Sequence, residues 1–203
     1  MTTLLVTVPA QAAPGDAVAA GNAGSVSIKH GDQVVTMAPI APCESDGVLS
    51  GSVGDVSVPK VASFTNSTSA CTVDELGEVA TAEVKGGAFR LDALNRYGGP
   101  RIRLTSYSVK CGTTLTGSSS SMELKGLTGV KIPAQLPANH VVTVPGATSA
   151  APPIATVTFN EMITPSPADG SMTVHAMHVR LFPQGGPASG DAYVGTVHCA
   201  PVD

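Results

Sequence analysis

Histidine can hold a transition metal or move protons near neutral pH. Five are present, and His175 and His178 stand three residues apart with His198 further along the C-terminal segment. A specific metal site needs three or four donors converging on one point. Glu161 is the acid to consider beside His178 and His198, because it sits in an otherwise apolar segment. Whether these groups meet depends on the backbone beneath them. The stretch "SMTVHAMHVRLF" (171–182) alternates and carries Thr173, Val174 and Val179, which predicts a strand. Side chains an odd number apart on a strand point to opposite faces, so His175 and His178 should diverge. If 172–182 and 191–199 form a hairpin, Met177, Val179 and Leu181 can face the core with Tyr193, Val197 and Cys199. His178 and His198 then share the outer face, and the opposite register brings His175 to His198 instead. The expectation is a solvated polar face with no metal, no cofactor and no catalytic residue, His178, His198 and Glu161 being the residues to follow.

Other chemistry has thinner support. Serine is abundant, yet no Gly-x-Ser-x-Gly elbow occurs. Paired carboxylates for glycoside cleavage could come from Asp74, Glu75, Glu78, Glu83, Asp92, Glu123 or Glu161. Seven aromatic residues and no tryptophan leave little material for stacking a sugar. "GGP" (98–100) lacks the lysine of a phosphate loop, and Asn66-Ser67-Thr68 reads as a chance acceptor pattern. The net charge of −4, without a basic cluster, argues against nucleic acid and anionic membrane surfaces as partners.

The elements that must position these residues are strands. "SVSIKH" (25–30) and "QVVTMA" (33–38) flank His30-Gly31-Asp32 as a hairpin, and "RIRLTSYSVKC" (101–111) alternates throughout. "GEVATAEVKGGAFRLDAL" (77–94) is read as two strands about Lys85-Gly86-Gly87, bounded too tightly for a stable helix. Further strands are expected near 51–58, 121–127, 140–145 and 154–162. The class predicted is an all-β, antiparallel β-sandwich, jelly-roll or Greek-key-like and disulfide-stabilised. Cys43, Cys71, Cys111 and Cys199 form no Cys-x-x-Cys pair, which favours two disulfides over zinc. Three connectivities are open, and Cys43–Cys71 with Cys111–Cys199 is the one expected.

The opening "MTTLLVTVPAQAAPGD" has a short apolar run and a small-x-small site at Ala10-Gln11-Ala12. It reads as the remnant of a signal peptide over 1–12, followed by one domain over 13–203. No stretch is long and apolar enough to predict a membrane span.

From about residue 97 onward, "LPANHVVTVPG", "IATVTFNEM", "DGSMTVHAMHVRL" and "GDAYVGTVHC" occur in an order that resembles the choice-of-anchor P family of actinobacterial exported proteins. Phe159-Asn160-Glu161 and Ala176-Met177-His178-Val179 carry most of the resemblance, while 13–95 fit loosely. It implies export and a β-rich body, and brings no catalytic residues. The expected role is structural or partner-binding at the cell surface, non-enzymatic and non-covalently held, with other protein chains as partners. Self-assembly by strand addition is expected through the nearly uncharged N-terminal segment up to His30. A small-ligand or metal-binding module is the alternative, and a secreted hydrolase of envelope polymers a further one.

Overall fold

The structure, a computed structural model, describes residues 16–148 and 151–202; the leader expected over 1–12 lies outside them. β1 (Val18–His30) turns at Gly31-Asp32 into β2 (Gln33–Ile40), and β3 (Cys43–Glu44) returns to pair with β1. Then come β4 (Ser50–Val53), β5 (Val56–Val58), β6 (Ala62–Phe64), β7 (Ser67–Val73), β8 (Ala80–Gly86) and β9 (Phe89–Leu91). A 3-10 turn over Ala93–Tyr97 leads to β10 (Ile102–Leu104), β11 (Ser106–Thr114) and β12 (Gly117–Lys125). β13 (His140–Val144), β14 (Ala155–Ile163), β15 (Met172–Leu181) and β16 (Ala188–Ala200) follow.

These strands build two antiparallel layers. The first runs β13-β14-β15-β16-β1-β2, with β3 also on β1. The second comprises the sheets β12-β11-β8-β7-β4 and β10-β9-β6-β5. β1 and β16 pack on β7, β8 and β11, and Phe64, Phe89, Phe159 and Met177 are buried between the layers. The sandwich is the expected one. Its connectivity, however, is a meander in each layer, with β16 returning beside β1, rather than a jelly-roll or Greek-key crossing. The disulfides are Cys43–Cys71 and Cys111–Cys199, as expected, and each joins one layer to the other. Cross-links closing loops of 28 and 88 residues contribute about 3–5 kcal/mol each in the chain-entropy model.

Three sequence expectations change. β1 is paired with β16 on one edge and with β2 and β3 on the other, so 18–30 is not free to add to a neighbour's sheet. The long strand expected over 101–111 breaks at Thr105 into β10 and β11, which lie in different sheets. The strand expected near 51–58 likewise breaks at Gly54-Asp55 into β4 and β5, which lie in different sheets, while β8 and β9 stand about Lys85-Gly86-Gly87 as the two strands expected. All three follow from the architecture of the layers. Every strand of the smaller sheet continues one of the larger through a corner at Gly54-Asp55, Thr65-Asn66, Gly87-Ala88 or Thr105. The corners keep their backbone groups bonded. Thr65 N–H donates to Ala88 O at 3.0 Å, and Gly87 N–H to Thr65 O at 2.9 Å.

The first layer also breaks, without splitting. Ala23, Gly195, Ala176 and Asn160 stand side by side across four strands, and the ladder register is the same on both sides of them. Gly195 and Asn160 have φ of 60° and 50°, the left-handed region that glycine and asparagine tolerate best. The pleat changes phase there. Met172, Val174 and Ala176 point inward along β15, and so do Met177, Val179 and Leu181. A core tyrosine secures the row: Tyr107 donates its hydroxyl hydrogen to Ala23 O at 2.8 Å. Gly195 faces the same ring, where a Cβ would lie 3.2 Å from Tyr107 Cδ2 and 3.1 Å from Val109 Cγ1.

Candidate functional site

The change of phase decides where the histidines go. With one reversal between them, His175 and His178 lie on the same outer face, their ring centroids 6.2 Å apart. This corrects the expectation that they diverge, which assumed an unbroken pleat. The register also separates His198 from both: His178 stands opposite Tyr193, His175 opposite Thr196, and His198 opposite Thr173. His198 shares a 3.0 Å hydrogen bond with Thr173, outside the cluster. Tyr193, expected in the core with Val197 and Cys199, lies on the other side of the Gly195 reversal from them and faces outward with the histidines.

β14 adds the acid. Glu161 stands opposite His175, just past the positive-φ Asn160. His178 Nδ1–H donates to Glu161 Oε2 at 2.9 Å, and Nε2–H donates to Asp191 Oδ1 at 2.7 Å. Asp191 also accepts from Arg180 Nε at 3.2 Å. Tyr193 stacks on His178 with centroids 4.3 Å apart and leans on His175 at 4.6 Å. His175 Nδ1 shares a 2.9 Å hydrogen bond with Thr196, and its Nε2 stops 3.9 Å from Glu161. The His178 side chain is only 8% exposed and that of His175 12%.

Two histidines on one face are thereby driven in opposite directions. Burial alone would favour neutral His178, but hydrogen bonds to Asp191 and Glu161 outweigh it and raise its pKa to about 9. His175 lacks such a partner. Burial dominates, the charge of Glu161 compensates only in part, and the pKa falls to about 4. Burial disfavours ionisation of Glu161, yet His178 overcomes it and lowers the pKa. Asp191 is lowered chiefly by its hydrogen bond from His178, against burial. Desolvation raises Tyr193, and the neighbouring carboxylates push it the same way. At neutral pH the cluster is therefore a charged His178 between two carboxylates, beside a neutral His175.

As chemistry, this arrangement is closed. Both nitrogens of His178 are occupied, so the ring has no lone pair for a substrate or an ion, and its raised pKa makes it a poor base near neutrality. Among the described residues no three His, Cys, Asp or Glu side chains converge so as to hold a metal ion. The other carboxylates weighed for hydrolysis are dispersed. Glu83 pairs with Lys85 at 2.8 Å and Glu123 with Lys125 at 3.1 Å, while Asp92 holds Arg90 at 2.9 Å and also Arg101. Asp74 accepts from the backbone of Glu78 and Val79 within its own loop. Ser67, of the Asn66-Ser67-Thr68 pattern, is buried and within 3.5 Å of the Tyr107 hydroxyl.

Sequence reasoning singled out Glu161 and His178 but missed Asp191, Tyr193 and Arg180 as their partners. The available signal was Asn160 and Gly195, two residue types suited to positive φ inside two β-rich segments. Comparison of the chain with protein-family models, with curated proteins and with solved structures returned no match.

Proposed function

We propose that this chain is an exported, non-enzymatic β-sandwich with a structural or partner-binding role at the cell surface, held there without covalent attachment, and that it self-associates by strand addition. Two disulfides support an oxidising compartment. Among the described residues no helix is long and apolar enough to cross a membrane. The resemblance to exported choice-of-anchor P proteins points the same way. The closed His178 network supports a non-catalytic reading, since its strongest acid–base groups satisfy one another.

The observation that carries self-association is the edge strand β13. Among the described residues it pairs on one side only, with β14, and its five residues His140–Val144 include no Lys, Arg, Asp, Glu or Pro. Val141 is 53% exposed there. Natural sheet edges normally carry a guard against pairing, and this edge has none within the strand. β2, at the other end of the layer, has Pro39. A second copy offering its own β13 would continue the ladder antiparallel.

Light scattering across a concentration series tests this reading. A dimer or larger species should form, and Val141→Lys should return the protein to monomer while its circular dichroism stays unchanged. A strict monomer at every concentration overturns self-association. Turnover of peptidoglycan, glycan or ester substrates that disappears in Glu161→Gln overturns the non-enzymatic role.

A further inference from the structure

A cavity of about 760 Å³ opens at the end of the sandwich, away from the His178 face. Three elements bound it: the β1–β2 hairpin, the β5–β6 turn and the 3-10 turn. Its volume falls within the range of small-molecule sites. Ile28, Val35, Val61 and Leu181 give it an apolar interior. Lys60, Arg96 and Arg101 bring three cationic side chains to its lining, against one acid, Asp92. Asp92 is already engaged by Arg90 and Arg101. Lys60 and Arg96 have no ion-pair partner among the described residues.

The wall is held in place by the scarce aromatics. Tyr97 packs edge-on against Phe182 with centroids 4.8 Å apart, and its hydroxyl shares a 3.0 Å hydrogen bond with His30 Nδ1. Phe182 is itself buried. A wall fixed in this way loses little entropy when a ligand arrives.

We infer that this cavity binds a small amphipathic anion, its apolar chain against Ile28, Val35 and Val61 and its anionic head at Lys60 and Arg96. Charge complementarity selects the head: two unpaired cations beside an acid that is already neutralised favour a carboxylate or phosphate over a cation or a neutral polar group. Apolar lining selects the body, because burying hydrocarbon there supplies affinity that a bare anion lacks. This site is separate from the His178 network and independent of self-association.

Isothermal titration of the disulfide-bonded protein tests the inference. The probes are dodecanoate, dodecyl phosphate, dodecanol and acetate, each below its micelle concentration. One saturable site is expected for the two anionic amphiphiles, and the tighter of them identifies the headgroup. Dodecanol should bind at least about tenfold more weakly, and acetate should not saturate. Lys60→Asn with Arg96→Gln should weaken the anions about tenfold and leave dodecanol unchanged. Val35→Asn should weaken anions and dodecanol alike. Absence of saturable binding overturns the inference, as does binding indifferent to both sets of substitutions.

Discussion

Both layers of the sandwich are interrupted by a row of unpleated residues, and the two rows have different consequences. In the second layer the corners at Gly54-Asp55, Thr65-Asn66, Gly87-Ala88 and Thr105 divide the ladder, leaving a smaller sheet as a continuation of the larger. In the first layer the row Ala23–Gly195–Ala176–Asn160 leaves the register intact and reverses only which side chains face out. The first device sets off a smaller sheet, whose β5–β6 turn lines the cavity. The second rearranges chemistry on a face that stays continuous. A row of four paired residues, left-handed at Gly195 and Asn160 only, can therefore decide whether groups three apart oppose or adjoin one another, while pairing partners stay the same.

The largest expected effect concerns what both rows share, the covalent ties between layers. Cys111→Ser with Cys199→Ser should cost about 4 kcal/mol of stability, as the longer loop implies, measured by urea unfolding. Next comes the charged face. His178→Ala leaves Glu161 and Asp191 as neighbouring carboxylates without their shared cation. Removing one partner of a buried pair costs about 3–5 kcal/mol, so these partly exposed acids should cost about 2–3 kcal/mol. Gly195→Ala attacks the row directly. Its φ of 60° and the contacts a Cβ would make with Val109 and Tyr107 predict about 1–3 kcal/mol, with altered resonances at His175 and His178. Tyr107→Phe, which strands Ala23 O, should cost about 1–2 kcal/mol. At the small end, Glu83→Gln removes only an exposed pair with Lys85 and should stay within about 0.5 kcal/mol.

The two histidines also give the face a pH signature of defined sign. His178 has a folded pKa of about 9 against a reference of 6.5, so its contribution is complete below pH 6.5 and is lost as pH rises through 9. His175 has a folded pKa of about 4 against the same 6.5. Its unfolded form binds the proton first, so its contribution is present above pH 6.5 and is lost as pH falls toward 4. Glu161 and Asp191, both lowered, add a further loss at more acidic pH. Together the histidines place a stability maximum near pH 6.5, each flank falling by at most about 1.4 kcal/mol per pH unit. Urea midpoints across pH should show it, with His178→Gln flattening the alkaline flank and His175→Gln the acidic one.

Much of this molecule can be read from residue order. Alternation gives the strands, His30-Gly31-Asp32 gives the first hairpin, and the absence of close cysteine pairs points to the cross-linked framework. Glu161 was legible as an acid in an apolar strand. The reversal was not, because Gly195 and Asn160 also occur as ordinary weak points in strands, and nothing local says that four strands will align theirs. Its trace is the phase slip in "MTVHAMHVRL", where Val174 and Ala176 keep one parity while Met177, Val179 and Leu181 keep the other. The corners were hidden for a similar reason. At Thr105 the trace is again a phase slip, Ile102 and Leu104 keeping one parity and Tyr107, Val109 and Cys111 the other, and only the second layer's geometry shows that the chain changes sheets there.

His175 and His178 share one face and one carboxylate neighbourhood, and of the two only His178 is bonded to carboxylates through both nitrogens. Histidine side-chain NMR titration, assigned by His175→Gln and His178→Gln, measures this directly. His178 should titrate at about 9 and His175 at about 4. Two histidines titrating together near the reference 6.5 would contradict the reversal and the network built upon it.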